Sequence, residues 1–214
     1  MLIFDQSSAT VSNCIIAQNR AITIGGGGIW CGQSSTTTVT NSIIWGNTAP
    51  QGDELSVRKW STGNTASTLT ISYCNVGGGK AEVNVESGCT LDWGVGNIDA
   101  DPYFVDSVND DFHLKSQAGR WDPESQAWIQ DEVTSPCIDA GDPMSPISWE
   151  PFPNGGFVNM GAYGSTSKAS KSYFGEPVCG TIVAGDINGD GQVNRADLEI
   201  MALHWTDEEP LLLP

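Results

Sequence analysis

The residues with the clearest capacity for chemistry lie near the C-terminus, in the run Asp186-Ile187-Asn188-Gly189-Asp190-Gly191-Gln192-Val193-Asn194-Arg195-Ala196-Asp197. Calcium takes about six to eight oxygen ligands, and alternate residues of a tight twelve-residue loop can all turn their oxygens inward. Asp186, Asn188 and Asp190 stand at positions 1, 3 and 5 of such a loop, and Gly191 takes the sharp turn at position 6. Gln192 offers its carbonyl at position 7, Asn194 acts at 9 directly or through water, and Asp197 closes the shell at 12. Val193 would anchor the loop to a neighbour. Leu198 to Trp205 then reads as a short helix with Leu198, Met201 and Trp205 on one side. Calcium is the expected ion.

Other chemically capable groups read as structural. Arg58-Lys59 with Asp53-Glu54 combines carboxylates and cations, in a pattern that suits a solvated loop. Asp99, Asp101, Asp106, Asp110 and Asp111 are close in sequence and read as turn formers that bond local backbone amides. His113 lies in a strand-like run and His204 in the expected helix, and neither has a neighbour that suggests a triad. No catalytic residue is assigned, and the chain is expected to be noncatalytic.

The elements that must carry these residues repeat. Asn13-Cys14-Ile15-Ile16-Ala17-Gln18-Asn19 recurs 28 residues later as Asn41-Ser42-Ile43-Ile44-Trp45-Gly46-Asn47. Each copy follows an alternating strand, Thr10-Val11-Ser12 and Thr38-Val39-Thr40, and a third copy runs from Leu69 to Val76. Gly25-Gly26-Gly27-Gly28-Ile29-Trp30-Cys31 adds a glycine turn and a further short strand. Short β-branched runs bounded by Gly, Asn and Ser, repeating at this period with no helix inside, point to a solenoid of stacked parallel β-coils. In-register stacking places Ile15 under Ile43 in an apolar column. It also aligns Cys14, Ser42 and Cys74, and sets Asn13 and Asn41 as an amide ladder at a bend. The six cysteines carry no zinc spacing, and buried thiols or disulfides are both open.

After residue 90 the repeat fades into Gly96-Asn97-Ile98-Asp99-Ala100-Asp101-Pro102-Tyr103-Phe104-Val105, then Asp111-Phe112-His113-Leu114. Ser135-Pro136-Cys137-Ile138-Asp139-Ala140-Gly141-Asp142-Pro143 and Val158-Asn159-Met160-Gly161-Ala162-Tyr163-Gly164 follow. In this order the phrases resemble the closing segment of secreted bacterial right-handed parallel β-helix proteins of the pectin-lyase-like superfamily. The insertion from Gln117 to Val133, with Trp121 and Trp128, departs from the short link usual there. The loop and helix near the C-terminus are similar to one half of a type I dockerin, which implies calcium-dependent docking to a cohesin-like protein. Dockerins carry two such repeats where this chain shows one, and Arg195-Ala196 replaces the small hydroxyl pair that contacts cohesin.

The expected architecture is therefore all-β: a right-handed parallel β-helix over 1–166, a linker over 167–181, a dockerin-like calcium loop and helix over 182–206, and a tail over 207–214. Composition agrees. With 26 acidic residues against 9 Lys plus Arg, the formal net charge is −17, which excludes a phosphate backbone as partner. No apolar run is long enough to span a membrane, and 25 glycines argue against long helices. Both resemblances imply export, so an extracellular or bacterial cell-surface location is expected, with no signal peptide visible and a beginning that reads as cut.

Three kinds of partner fit: a cohesin-like protein, cell-surface polysaccharide, or neighbouring copies stacked head to tail through uncapped coil edges and Leu211-Leu212-Leu213. Exposed Trp30, Trp45 or Trp60 would offer rings to sugars; buried, they would cover coil edges. The alternatives to a docked module are a self-assembling fibre subunit and the C-terminal part of a polysaccharide lyase or hydrolase.

Overall fold

A computed structural model describes residues 1–23, 25–59, 66–175 and Arg195. The chain divides into two compact units, Met1–Ser172 and Tyr173–Pro214. The first is described below. The calcium loop, its helix (apart from Arg195, which is helical), Trp60, Cys179 and the C-terminal leucines lie outside the described residues.

Alternating β-branched residues separated by turns build four successive coils among the described residues. The first contains β1 (Leu2–Ile3), β2 (Ser8–Ser12) and β3 (Ile15–Ala17), and the second β4 (Ile29–Gly32), β5 (Thr36–Thr40) and β6 (Ile43–Trp45). The third contains β7 (Leu55–Arg58), β8 (Thr68–Ser72) and β9 (Asn75–Val76); the fourth keeps β10 (Asn84–Val85) and β11 (Thr90–Trp93). Each strand pairs in parallel with its counterpart in the next coil, giving three sheets ordered β1-β4-β7-β10, β2-β5-β8-β11 and β3-β6-β9. This is a parallel β-helix, as the repeat predicts. Ser8 pairs with Thr36 and Ile15 with Ile43, the 28-residue offset read in the sequence.

Strand alternation sorts the side chains into columns. Val11, Val39 and Ile71 stack inward, joined by Ile3, Ile29, Leu55, Val57, Ile44, Val76 and Cys74 in one core, with Cys14 at its edge. Outward from the second sheet runs a matching set of Ser and Thr residues, in which Thr40 donates to Ser12 across 3.3 Å. The Cys14–Ser42–Cys74 column repeats its bonding: each side chain donates to the carbonyl two residues earlier. Cys14, Cys31, Cys74, Cys89 and Cys137 are free thiols, and burial pushes Cys74 up to about 12 and Cys137 to about 11.

Two expectations for the columns change. Ile15 does stack on Ile43, but this pair faces away from the coil interior, which Ile16 and Ile44 fill from the other side of the sheet. The amide ladder sits one bend further on. Asn13 and Asn41 occupy left-handed backbone with no bond between their side chains. Asn19 instead donates to the Asn47 side-chain oxygen at 2.9 Å from both its backbone and its amide, and Asn47 donates onward to the Ile16 carbonyl and to Glu54. The carboxylate of Glu54, 6% exposed, also accepts from the Asn47 backbone. An orphan bend N–H would be costly to bury, and this carboxylate removes the cost.

The closing segment covers the outward Ile15–Ile43 column. It contains the hairpin β12 (Phe104–Asp106) and β13 (Asp111–Leu114), and the hairpin β14 (Arg120–Asp122) and β15 (Ala127–Ile129), which is the inserted stretch. Leu114, Cys137, Ile138 and Met160 pack on Ile43, with Ile15 and Trp45 at the margin. Backbone polar groups are matched at the same seam. Gly161 donates to the Asn41 carbonyl at 2.8 Å, Asp142 to the Asn41 side chain at 2.7 Å, and Asn75 to the Ala100 carbonyl at 2.7 Å. Residues 167–172, expected within the linker, pack into this unit: Ser170 donates to the Leu114 carbonyl and Lys171 to the Gly119 carbonyl.

Gly161 has φ 94°, and a Cβ there would stand 3.0 Å from Ile43 Cδ1 and 3.1 Å from Ile15 Cγ1. Gly161→Ala is expected to lower the unfolding free energy by about 1–3 kcal/mol, through overpacking and a disfavoured backbone, measured by urea titration. An unchanged midpoint would show that the seam yields freely.

Burial pushes the Glu54 and Glu150 carboxyls above their ordinary value of 4.5, partly offset by the N–H groups they accept. The folded state therefore favours the protonated forms. Their contribution is complete below pH 4.5 and is lost as pH rises through the folded-state values. The chemical denaturation midpoint is expected to fall across that window, and less steeply in Glu54→Gln; identical slopes in the two proteins would remove Glu54 from the account.

Candidate functional site

The two hairpins of the closing segment and the loop after Met160 enclose an open cleft of about 610 Å³. Its wall begins at β12, where Asp106 ends the strand and caps the short turn 107–109 by accepting from the Asn109 backbone and side chain. Asp110 follows in the left-handed conformation that lets β13 return. On β13 the period of two puts Asp111 and His113 on one face. Asp111 Oδ1 lies 2.6 Å from His113 Nδ1 and also accepts from the His113 backbone. On the opposite face Phe112 meets Phe104 edge-on at 5.2 Å.

The His113 ring stacks on Tyr163 at 3.8 Å with 20° between planes. Burial pushes the Tyr163 phenol up, and the Asp111 charge adds to the effect. The β14–β15 turn brings Asp122 and Glu124 to the opposite rim, and Lys168 completes the lining. Asp122 accepts from the Ser125 hydroxyl and backbone, which hold its carboxyl below the usual range with help from Arg120. Asp106 is lowered in the same way, first by the Asn109 amide. The hairpin itself is braced by Trp121 against Trp128 at 5.7 Å, by Lys171 Nζ 4.4 Å over the Trp128 ring, and by Arg120 on Asp131 at 3.1 Å.

Each sequence expectation has a location. Asp186, Asn188, Asp190, Gln192, Asn194 and Asp197, the expected calcium ligands, lie outside the described residues. Asp101, Asp106 and Asp111 do bond local amides, of Tyr103, Asn109 and His113, whereas Asp99 accepts from the distant Gly78 backbone. What the sequence did not reveal is that Asp106, Asp110 and Asp111 also line one cleft, or that His113 has a carboxylate partner. The signal available was the spacing Asp111-x-His113 in a strand, which puts both on one face.

The Asp53-Glu54 and Arg58-Lys59 group is dispersed. Glu54 is bound in the Asn47 bend, Asp53 accepts from Ala49, and Arg58 pairs with Glu86 at 3.5 Å. Trp30 is buried and Trp45 packs under the closing segment; among the described residues Trp149, at 78%, and Trp128 are exposed.

A family model described as "Disaggregatase related" matches residues 5–141, well over half of the chain. The chain belongs to the disaggregatase-related family. The match covers the coils and the closing segment as far as Gly141, and so includes Asp106, Asp111, His113, Asp122 and Glu124 of the cleft. Tyr163 and Lys168 come from beyond it. No curated protein and no solved structure matches the chain. Among the described residues no helix is long and apolar enough to cross a membrane.

Asp111→Asn removes the charge beside Tyr163. The phenol is then expected to titrate at lower pH than in the parent protein, read from its ultraviolet absorbance, while burial keeps it above the ordinary value of 10.0. A titration unmoved by the substitution would place the whole shift on burial.

Proposed function

We propose that the chain is an extracellular or cell-surface β-helix module that holds a surface polymer without cutting it, and that its dockerin-like calcium loop and helix over 182–206 dock it to a cohesin-like protein. The observation that carries this reading is the state of the cleft carboxylates. A general acid needs a raised pKa, yet Asp106 and Asp122 are lowered by hydrogen bonds from Asn109 and Ser125. Such groups stay ionised and accept hydrogen bonds, which suits holding a donor-rich ligand. The carboxyls that are raised, Glu54 and Glu150, are spent on backbone N–H groups within the fold.

Calcium docking rests on the donor set Asp186, Asn188, Asp190, Asn194 and Asp197 with the Gln192 carbonyl, hard oxygens in a spacing that suits that ion. A free calcium concentration high enough to fill a single weak loop is an extracellular condition.

A second reading, the C-terminal part of a polysaccharide lyase or hydrolase, is favoured by one contact: Asp111 orients His113 at 2.6 Å, a geometry also used to prepare an imidazole for proton transfer. Incubation of the full chain with surface polysaccharide separates the two. Retention of the polymer with no new reducing or unsaturated ends supports the module, and new ends overturn it.

Calorimetry on the full chain is expected to show one calcium bound, with binding lost in Asp190→Ala. Light scattering after size exclusion is expected to give a monomer in calcium and in EGTA. Large species in calcium that fall apart in EGTA would instead make the loop a joint between neighbouring copies.

A further inference from the structure

We infer that Asn154-Gly155 is a self-modification site, at which the Gly155 backbone nitrogen attacks the Asn154 side-chain amide while Asp139 takes the proton. The inference is independent of the docking reading, and its only co-reactant is water. Three features of the loop lead there.

The first is the dipeptide. Asn154 is followed by Gly, whereas every other Asn among the described residues precedes a residue with a Cβ. A glycine leaves its own nitrogen open to close approach. The fold also demands glycine at this position. A Cβ on Gly155 would stand 2.4 Å from Asp139 Oδ2 and 2.5 Å from Asp139 Cγ.

The second is a placed proton acceptor. Gly155 N donates to Asp139 Oδ1 at 3.0 Å, inside the reach of about 2.6–3.2 Å that a general base needs. A backbone amide is a very weak acid, so its nitrogen attacks only as its proton leaves. Asp139 is itself held in place, since its backbone N–H donates to the Asn159 side chain at 2.8 Å. Asn159 in turn donates to Glu150 from its backbone and to the Ser170 carbonyl from its amide. A standing contact of this kind replaces a chance encounter with a base in solution.

The third is a loosely held leaving group. Asn154 Nδ2 reaches the Glu150 carbonyl at 3.4 Å, beyond the ordinary N–H···O range of about 2.7–3.2 Å. The amides of Asn47, Asn75 and Asn159 each donate to a carbonyl at 2.7 Å. Asn154 and Gly155 are half-buried and Gly156 is exposed, so water reaches the loop. Gly156 has φ 81° and nothing within 4 Å of its Cβ position, which leaves the chain after Gly155 room to shift.

The steps balance. A bond forms from Gly155 N to Asn154 Cγ as the nitrogen's proton passes to Asp139. The Asn154 Cγ–Nδ2 bond then breaks, ammonia leaves with that proton, and a cyclic succinimide remains. Water opens the ring at either carbonyl, giving aspartate or isoaspartate at position 154 and restoring Asp139. The product adds a carboxylate one residue from the nitrogen that Asp139 holds, and like charges so close repel.

The test follows the full chain at neutral pH by peptide mapping with mass spectrometry, folded and in urea. Mapping separates Asn154 from Asn188-Gly189, the same dipeptide elsewhere in the sequence. Asn154 is expected to convert at least about tenfold faster in the folded chain than in urea, where Asp139 no longer stands beside Gly155. Asp139→Asn keeps a side-chain acceptor for Gly155 without the charge, and is expected to slow the folded chain by about tenfold.

Equal or slower conversion in the folded chain would overturn the inference, because the fold would then protect the site. An unchanged or faster rate in folded Asp139→Asn would overturn the role of Asp139. The comparison of folded chain with urea needs the parent protein alone, and decides the matter if the variant does not fold.

Discussion

The sheet β3-β6-β9 is apolar on both faces, and the rest of the unit is arranged around that fact. In a solenoid each strand normally turns one face to the core and the other to water. Here Ile16, Ile44 and Val76 fill the interior while Ile15 and Ile43 point the other way. Left uncovered, the outer pair would present a ridge of isoleucine to solvent. The closing segment exists to bury it: Gly161 lies against both isoleucines, and Leu114, Cys137 and Met160 complete the layer. The adjacent Asn75 takes the third place in the column, where it bonds the Ala100 carbonyl and Cys137 and so changes the contact from apolar to polar.

That single contact also fixes the cleft. Leu114 is the last residue of β13, and packing it on Ile43 sets the direction in which Asp111 and His113 face. Met160 is anchored to the same layer three residues before Tyr163, whose ring backs the imidazole. The polar groups nearby follow the same economy of position. Asn159 accepts from Asp139 and donates to the Ser170 carbonyl, while Glu150 gathers the Asn159 and Ser165 backbones. A segment with little regular secondary structure thus has its backbone donors and acceptors answered by a few buried side chains. Rigidity of this kind lets a cleft form before a ligand arrives.

The coil stack was legible in the sequence because period, β-branching and turn residues all agree, and the register Ile15 to Ile43 follows from the 28-residue offset alone. Which face of that strand is the core was not legible. Ile15-Ile16 and Ile43-Ile44 are apolar at both parities, so alternation gives no answer. The same ambiguity displaced the amide ladder: Asn13 and Asn19 both end short strands, and only the presence of Glu54 across the bend selects the second. The cleft was the least legible part. Its aspartates each have a sufficient local reason to be where they are, and a turn-forming aspartate looks the same in sequence whether it faces solvent or a ligand. Tyr163, Asp122 and His113 come from segments with no repeat relation, so their meeting depends on the insertion 117–133 folding back as a hairpin.

The double duty of those aspartates explains the electrostatics of the site. An aspartate that accepts from a backbone N–H is stabilised as the anion, so the turns that shape the cleft also fix its charge. At Asp106 and Asp122 the bonds that hold the turn also favour the anion. A cleft built from such turns can supply a constant negative field and a set of lone pairs. The site therefore combines acceptors fixed by their own turns with an imidazole oriented by Asp111 and backed by Tyr163.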